Sequence, residues 1–190
     1  MALKLVKEME IKLATVSDID SIMEIIKNAK DYLKTHGSTQ WNEADGYPNV
    51  NTFLNDIKNN FCYIAIENNN ILGVMALIDT PDITYEKYDF WQFKNYISIH
   101  RIAIDHNIYH KGVADKLIEF AINYAKFNKI SSIRCDTHKK NIPMQKLLAK
   151  HSFKYLAEIT LANNNQDNLR LAFEREVWKW RFFFILKNKM

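Results

Sequence analysis

The run Ile104-Asp105-His106-Asn107-Ile108-Tyr109-His110-Lys111-Gly112-Val113-Ala114-Asp115-Lys116-Leu117 holds a strand end, a short loop and a helix start. Upstream of it, Tyr96 to Ile104 (Y-I-S-I-H-R-I-A-I) is mostly apolar, as a central strand is. Downstream, Val113, Leu117, Phe120, Ala121, Tyr124 and Ala125 mark one face of a helix that opens at Gly112. The first amides of a helix lack internal acceptors and carry partial positive charge, so they can cradle a phosphate. Gly112 lets a phosphate approach the backbone, Ala114 keeps the second turn equally bare, and His110 and Lys111 add charge. A plain loop leading into a helix is the competing reading. Two phosphate motifs are excluded. Lys precedes Gly with no second Gly, so there is no Walker loop. The chain's four scattered glycines hold no GxGxxG fingerprint.

Working outward, Glu10 to Ala14 alternates as a short strand, and Ser17 is placed to cap a helix running to about Leu33. Asn51 can cap a second, short helix. Phe61 to Glu67 and Ile71 to Ile78 form a hairpin around Asn68-Asn69-Asn70. Asp79 to Asn95 reads as a loop. Ile130 to Asp136 is a strand, and Asn141 caps a helix with Pro143 in its first turn. Phe153 to Leu161 and Leu169 to Glu176 are the last strands. The order β-α-α-β-β-β-α-β-α-β-β implies a mixed sheet with helices on both faces.

The pattern that remains at the central turn is [QR]xxGx[GA], which Tyr109-His110-Lys111-Gly112-Val113-Ala114 fits with Tyr in the first place. Here the chain resembles the GNAT superfamily of N-acetyltransferases, which hold the pyrophosphate of acetyl-CoA on that loop. Ile99-His100-Arg101-Ile102-Ala103-Ile104 stands where that family's fourth strand should. Asp136-Thr137-His138, Asn141 to Leu148 and Phe153 match its fifth strand and fourth helix. Gln40-Trp41 and Gly46-Tyr47-Pro48 also recur in bacterial members.

The resemblance implies an α/β (α+β mixed) GNAT fold over residues 9–176. Its central sheet is mixed, largely antiparallel and of about seven strands, flanked by about four helices. Residues 177–190 are left as an aromatic and basic tail. The implied cofactor is acetyl-CoA. Its binding set is Ile102, Ala103 and Ile104 on the strand, Tyr109, His110, Lys111, Gly112, Val113, Ala114 and Asp115 at the turn, and Asn141 and Met144 on the next helix. The backbone of Ile102 and Ile104 would pair with the pantetheine arm as an added strand does. Asn141 would reach the pantetheine or the thioester. Two positions depart from the family. Leu148 stands where many members carry a Tyr as general acid, and Ser152 replaces the Gly of a Gly-Phe pair. A thiol of pKa ~8.5 needs protonation less than an alkoxide does.

The acceptor amine must lose a proton. His100 and His138 are the candidate bases, with a core histidine, a loop histidine or a water chain as the alternatives. The acceptor would enter between the first helical pair and the loop Asp79–Asn95. Gln40, Trp41 and Tyr47 would wall it, with Tyr85, Tyr88, Phe90 and Trp91 from that loop. The acids Asp79, Asp82, Glu86 and Asp89 would draw a cationic amine. In the competing reading the loop aromatics pack on the sheet.

Composition sets the outer bounds. At 190 residues, 47% apolar and 25% charged, the chain is an ordinary globular one. Cys62 and Cys135 lie in apolar runs, with no metal-ligand spacing and no place as nucleophiles. Residues 1–100 sum to −5 and residues 101–190 to +9, which invites an anionic ligand. Nucleic acid is not expected, since no stacking platform accompanies the charge. No stretch reaches the ~18–20 apolar residues of a membrane span, and the cytoplasm is the expected location. The tail Val177-Trp178-Lys179-Trp180-Arg181-Phe182-Phe183-Phe184-Ile185-Leu186 would pack on its own domain, join two copies as a homodimer or lie at a membrane surface. The expected activity is direct acetyl transfer from acetyl-CoA to a primary amine of a small molecule or peptide. An acyl-CoA-binding sensor on the same fold is the alternative.

Overall fold

A computed structural model describes residues 8–105, 107, 112–162 and 167–178. Seven strands make one sheet: β1 (Glu10–Leu13), β2 (Cys62–Glu67), β3 (Asn70–Ile78), β4 (Tyr96–Ile104), β5 (Ser132–Thr137), β6 (Lys154–Thr160) and β7 (Leu169–Glu176). Their spatial order is β1-β2-β3-β4-β5-β7-β6. Every neighbouring pair is antiparallel except β4 and β5, which run parallel. That exception follows from the long crossover between them, which a hairpin could not make.

Four helices cover the sheet: α1 (Ile19–Thr35), α2 (Val50–Lys58), α3 (Val113–Phe127) and α4 (Ile142–Lys150). Period-two alternation in β2 sends Cys62 and Ile64 toward α1 and α2, where they meet Ile22, Ile26 and Phe53. Tyr63 and Ala65 point the other way, into the core with Leu117, Ile118 and Leu148 of α3 and α4. Each Leu or Ile fully buried on these stripes contributes about 1.5–3 kcal/mol. A third, smaller cluster holds Tyr85, Ile159 and Ala172, with Trp91 packed against it.

Two local readings of the sequence are corrected. The chain enters α1 through a 3-10 turn over Val16–Asp18 rather than at a Ser17 cap. The capping pair is Thr15 and Asp18, whose Oδ2 accepts the Thr15 N–H at 2.8 Å. Ser17 only shares a hydroxyl contact with Thr15. The second helix likewise begins two residues early, capped by Asn49 through the Thr52 N–H at 3.0 Å rather than by Asn51. In both places several Asn, Ser and Asp lie close together, and the tertiary entry angle chooses among them.

Gly73 matters to the geometry that follows. A Cβ there would stand 3.0 Å from Val113 Cγ1 and 3.1 Å from the Ala103 carbonyl. Its absence lets the first residue of α3 press onto β3 beside the end of β4.

Candidate functional site

The parallel pair β4–β5 is joined only from Tyr96/Ser132 to Ile99/Cys135. Beyond that rung no described strand pairs with β4 on this side, so the backbone of residues 100–104 is an open edge. On its other side β4 carries one extra residue, because Val74 faces Ala103 while Ala76 faces His100. Arg101 is the bulged residue, at φ 50°. A left-handed non-glycine residue costs roughly 1–2 kcal/mol. The bulge also inverts the alternation of the strand. Ile97 and Ile99 face α3 and α4, and past the bulge Ile102 and Ile104 take that face while Ala103 turns to α1 and α2.

Three bonds hold Arg101 in place. Its Nε donates to Asp56 Oδ2 at 2.7 Å and its Nη2 to Asp56 Oδ1 at 2.9 Å. Its Nη1 donates to the Tyr47 hydroxyl at 2.7 Å. Both ends of the ion pair are nearly sealed from solvent, with the Arg101 side chain 8% and that of Asp56 4% exposed. The chemistry around the cleft thus begins with a buried fork between α2 and the bulge.

The gap between the splayed strands widens into a cleft of about 940 Å³. Gln40, Trp41 and Tyr47 form its wall toward the α1–α2 connection. Ile102, Ala103, Ile104 and Ala114 line the end toward α3, and Asn141 and Met144 the α4 side. His100, Asp136 and Arg170 lie in the same cleft. Gly112 caps α3 at φ 73°, and among the described residues nothing lies within 4 Å of where a Cβ would stand. The cleft and the bare end of α3 therefore adjoin. Val113 is in the core, 2% exposed. Asp115 faces α4, where it binds Lys150 Nζ at 2.7 Å and His151 Nε2 at 2.8 Å. Those bonds, Lys150's first, hold its carboxyl below the usual carboxylate range. Tyr109, His110 and Lys111 lie outside the described residues, as do residues 179–190 of the tail.

The two candidate histidines separate. His100 sits in the cleft, with Nε2 3.4 Å from Asp82 Oδ2 and its ring stacked on Tyr85 at 6.0 Å. Burial, with the Arg101 charge beside it, presses the imidazole down to about 4, so it is neutral at pH 7. His138 is 2% exposed and does not line the cleft. The Lys140 N–H donates to its Nδ1 at 3.3 Å, and Ser38 Oγ lies 3.0 Å from the same atom. That network assigns the proton to Nε2, which donates to Asp167 Oδ2 at 3.0 Å. Thr39 also donates to Asp167. His138 thereby fastens the α1–α2 connection to the turn before β7. Burial holds its imidazole below the ordinary histidine range.

The loop before β4 corrects a second expectation. Tyr85, Tyr88, Phe90 and Trp91 do not wall the cleft. They pack against one another and against Ile159 and Ala172. Pro81, Asp82, Ile83 and Thr84 form the rim instead, and Asp79, Glu86 and Asp89 stay off it. Arg134 explains part of this. Its guanidinium lies 4.4 Å from the Trp91 ring and 3.5 Å from that of Tyr96, so the aromatics serve a buried cation.

Asp136 and Arg101 carry the site's charge chemistry and were not singled out in the sequence. Burial pushes the Asp136 carboxyl up to about 6, against the Tyr85 hydrogen bond and Arg170, which pull it down. Burial likewise keeps Cys135 protonated and lifts Cys62 to about 12, so neither offers a thiolate at neutral pH. Leu148 is fully buried in the core, so no acid enters the cleft from its position.

Residues 23–153 match the profile of the Acetyltransferase (GNAT) family. The chain is 32% identical over 92 residues to a streptothricin acetyltransferase of Escherichia coli, a match covering 48% of this chain and 46% of that relative's length. A GNAT-family acetyltransferase of Streptococcus agalactiae shares the fold with a TM-score of 0.79 and 33% identity, over 92% of this chain and 98% of that one. The fold is also that of yncA from Salmonella typhimurium, solved with its cofactor acetyl-CoA, at a TM-score of 0.65 and 15% identity over 91% of this chain and 96% of that one.

Proposed function

The chain belongs to the acetyltransferase (GNAT) family, and on that footing we propose that it transfers an acetyl group from acetyl-CoA directly to a primary amine of a small molecule or peptide. The observation that carries this reading is the open β4 edge over residues 100–104, beside a cleft that ends at the bare start of α3. Acetyl-CoA fits there. The backbone of Ile102, Ala103 and Ile104 offers unpaired groups to the pantetheine arm, and the described start of α3 from Gly112 to Ala114 offers amides for the pyrophosphate, with Tyr109, His110 and Lys111 of the expected seat outside the described residues. Asn141 and Met144 close the arm from the α4 side. The acetyltransferase unit would run over residues 9–176, in the cytoplasm, with 177–190 as an appendage.

Bound acetyl-CoA would supply an activated thioester, to whose carbonyl carbon the amine nitrogen adds before the C–S bond breaks and the thiolate leaves with the electron pair. No acyl-enzyme is needed, and both thiols are held protonated. Gln40, Trp41 and Tyr47 orient the acceptor. The Tyr47 oxygen accepts from Arg101, which leaves its own proton free to donate into the cleft. His100, held neutral at about 4, is a poor proton acceptor and serves as a hydrogen-bonding wall. His138 supports the Gln40 side of the cleft from behind through Ser38, whose Oγ accepts the Gln40 N–H at 3.3 Å. Arg101 is neutralised by Asp56, so Asp45, Asp82 and Asp136 outnumber Arg170 among the remaining cleft charges, which favours a cationic amine.

Isothermal titration with acetyl-CoA, followed by thiol release over amino acids, polyamines, a lysine peptide and streptothricin, tests the reading. The expected result is binding and turnover of at least one amine, with binding lost in Gly112→Glu. Binding with no turnover supports the sensor alternative, for which the core position of Leu148 is the favouring observation. No binding overturns both.

A further inference from the structure

Asp136 lies one residue past Cys135, the last β5 rung to meet β4, so its carboxyl stands where the two strands part and the cleft begins. Its two oxygens differ. Oδ2 accepts the Tyr85 hydroxyl at 2.8 Å. Oδ1 takes no hydrogen bond from any described residue. Tyr85 is itself fully buried and locked among Trp91, Tyr96 and His100. It therefore fixes the carboxyl's orientation from behind.

We propose that Asp136 is the catalytic base, its Oδ1 taking the proton that the acceptor nitrogen loses as the C–N bond forms, with Tyr85 as the residue that positions it. This rests on the acetyl-transfer reading above. The proton then leaves through the cleft to solvent, and the carboxylate is restored for the next turnover. The other titratable groups of the cleft serve less well. His100 is pressed too low to keep a proton at neutral pH. Asp82 is committed to the Thr84 N–H at 2.7 Å and to His100 at 3.4 Å. Cys135 is held as a thiol. The titratable and charged groups facing Asp136 are Tyr85 and Asp82 from the β3–β4 loop, Tyr47 from the α1–α2 connection, Cys135 beside it on β5, and Arg170 from β7. Burial dominates among them and lifts its carboxyl to about 6. Such a group is mostly ionised at pH 7 and still accepts a proton readily.

The test is the pH profile of kcat/KM with acetyl-CoA and whichever panel amine the wild type turns over. The wild type should show an acid limb near pH 6. Asp136→Asn should lose that limb and about 100- to 1000-fold in kcat/KM, while its acetyl-CoA affinity by titration stays within a few-fold. Tyr85→Phe removes a bond that lowers the carboxyl's pKa, so its limb should move up by about one pH unit. That variant decides the matter should Asp136→Asn fail to fold. A limb that survives in Asp136→Asn, or stays in place in Tyr85→Phe, overturns the assignment alone. A wild type that turns over no amine on the panel overturns the acetyl-transfer reading and the assignment with it.

Discussion

Arg101 and Asp56 meet side-on, through Nε–Oδ2 at 2.7 Å and Nη2–Oδ1 at 2.9 Å, and this pair pins the bulge of β4 to α2. The bulge turns the strand's alternation over and leaves its edge open toward the cleft. The strand's own sequence does not favour the left-handed angle at Arg101, so the tertiary pair must supply it.

Asp56→Asn should therefore cost about 3–5 kcal/mol in stability, because it leaves a buried guanidinium without its counter-charge. Urea denaturation measures the loss. The KM for the amine should rise as well, since Tyr47 hangs on the same guanidinium.

Asp136→Asn should raise stability at pH 8 while it removes activity. The folded-state pKa, about 6, stands above the ordinary 3.8. The carboxyl thus stabilises the fold fully below about pH 4, and that contribution is lost as pH rises through 6. The whole shift corresponds to ~3 kcal/mol, and water in the cleft reduces this to about 1–2. Thermal melts at pH 4 and pH 8 should show the variant's advantage at pH 8 only.

His138→Ala should destabilise by about 1–3 kcal/mol at pH 7.5, since it removes the buried imidazole that joins Ser38 to Asp167. The imidazole's folded-state pKa lies below the ordinary 6.5, so its contribution is complete above that pH and is lost as pH falls through the folded value. Melting curves of wild type and variant should converge on acidification.

Gly73→Val should push the start of α3 away from the sheet. Its new side chain would meet Val113 and the Ala103 carbonyl, at an overpacking cost of about 1–3 kcal/mol. The KM for acetyl-CoA should rise more than that for the amine, because the displaced helix end is the proposed phosphate seat.

Much of the fold was legible because it rests on local signals. β4 and β7 fall where their sequences place them, and the Asn141 cap is made by its Oδ1 with the Met144 N–H at 3.3 Å. Gln40, Trp41 and Tyr47, singled out through the family resemblance, line one cleft. The bulge was not legible. A strand buried on both faces has no polar alternation to break, so an extra residue leaves no mark in Tyr-Ile-Ser-Ile-His-Arg-Ile-Ala-Ile. Asp136 was hidden for a different reason. A carboxylate at a strand end looks like any solvated turn residue, and only Tyr85, 51 positions away, reveals what it faces. Trp91 misled because its cationic partner, Arg134, lies on another strand, and Tyr85, Tyr88 and Phe90 because they pack with it on Ile159 and Ala172.

The fastening at His138 ties Ser38, and with it the neighbourhood of Gln40, to Asp167 ahead of the last strand. The wall proposed to face the amine is thus anchored to the carboxyl-terminal hairpin, whereas the end proposed to seat the nucleotide is anchored to α3. On that proposal, lengthening or shortening the link between β6 and β7 should alter acceptor choice before it alters binding at the α3 end. The two halves of the catalytic cleft can then diverge at different speeds within one architecture.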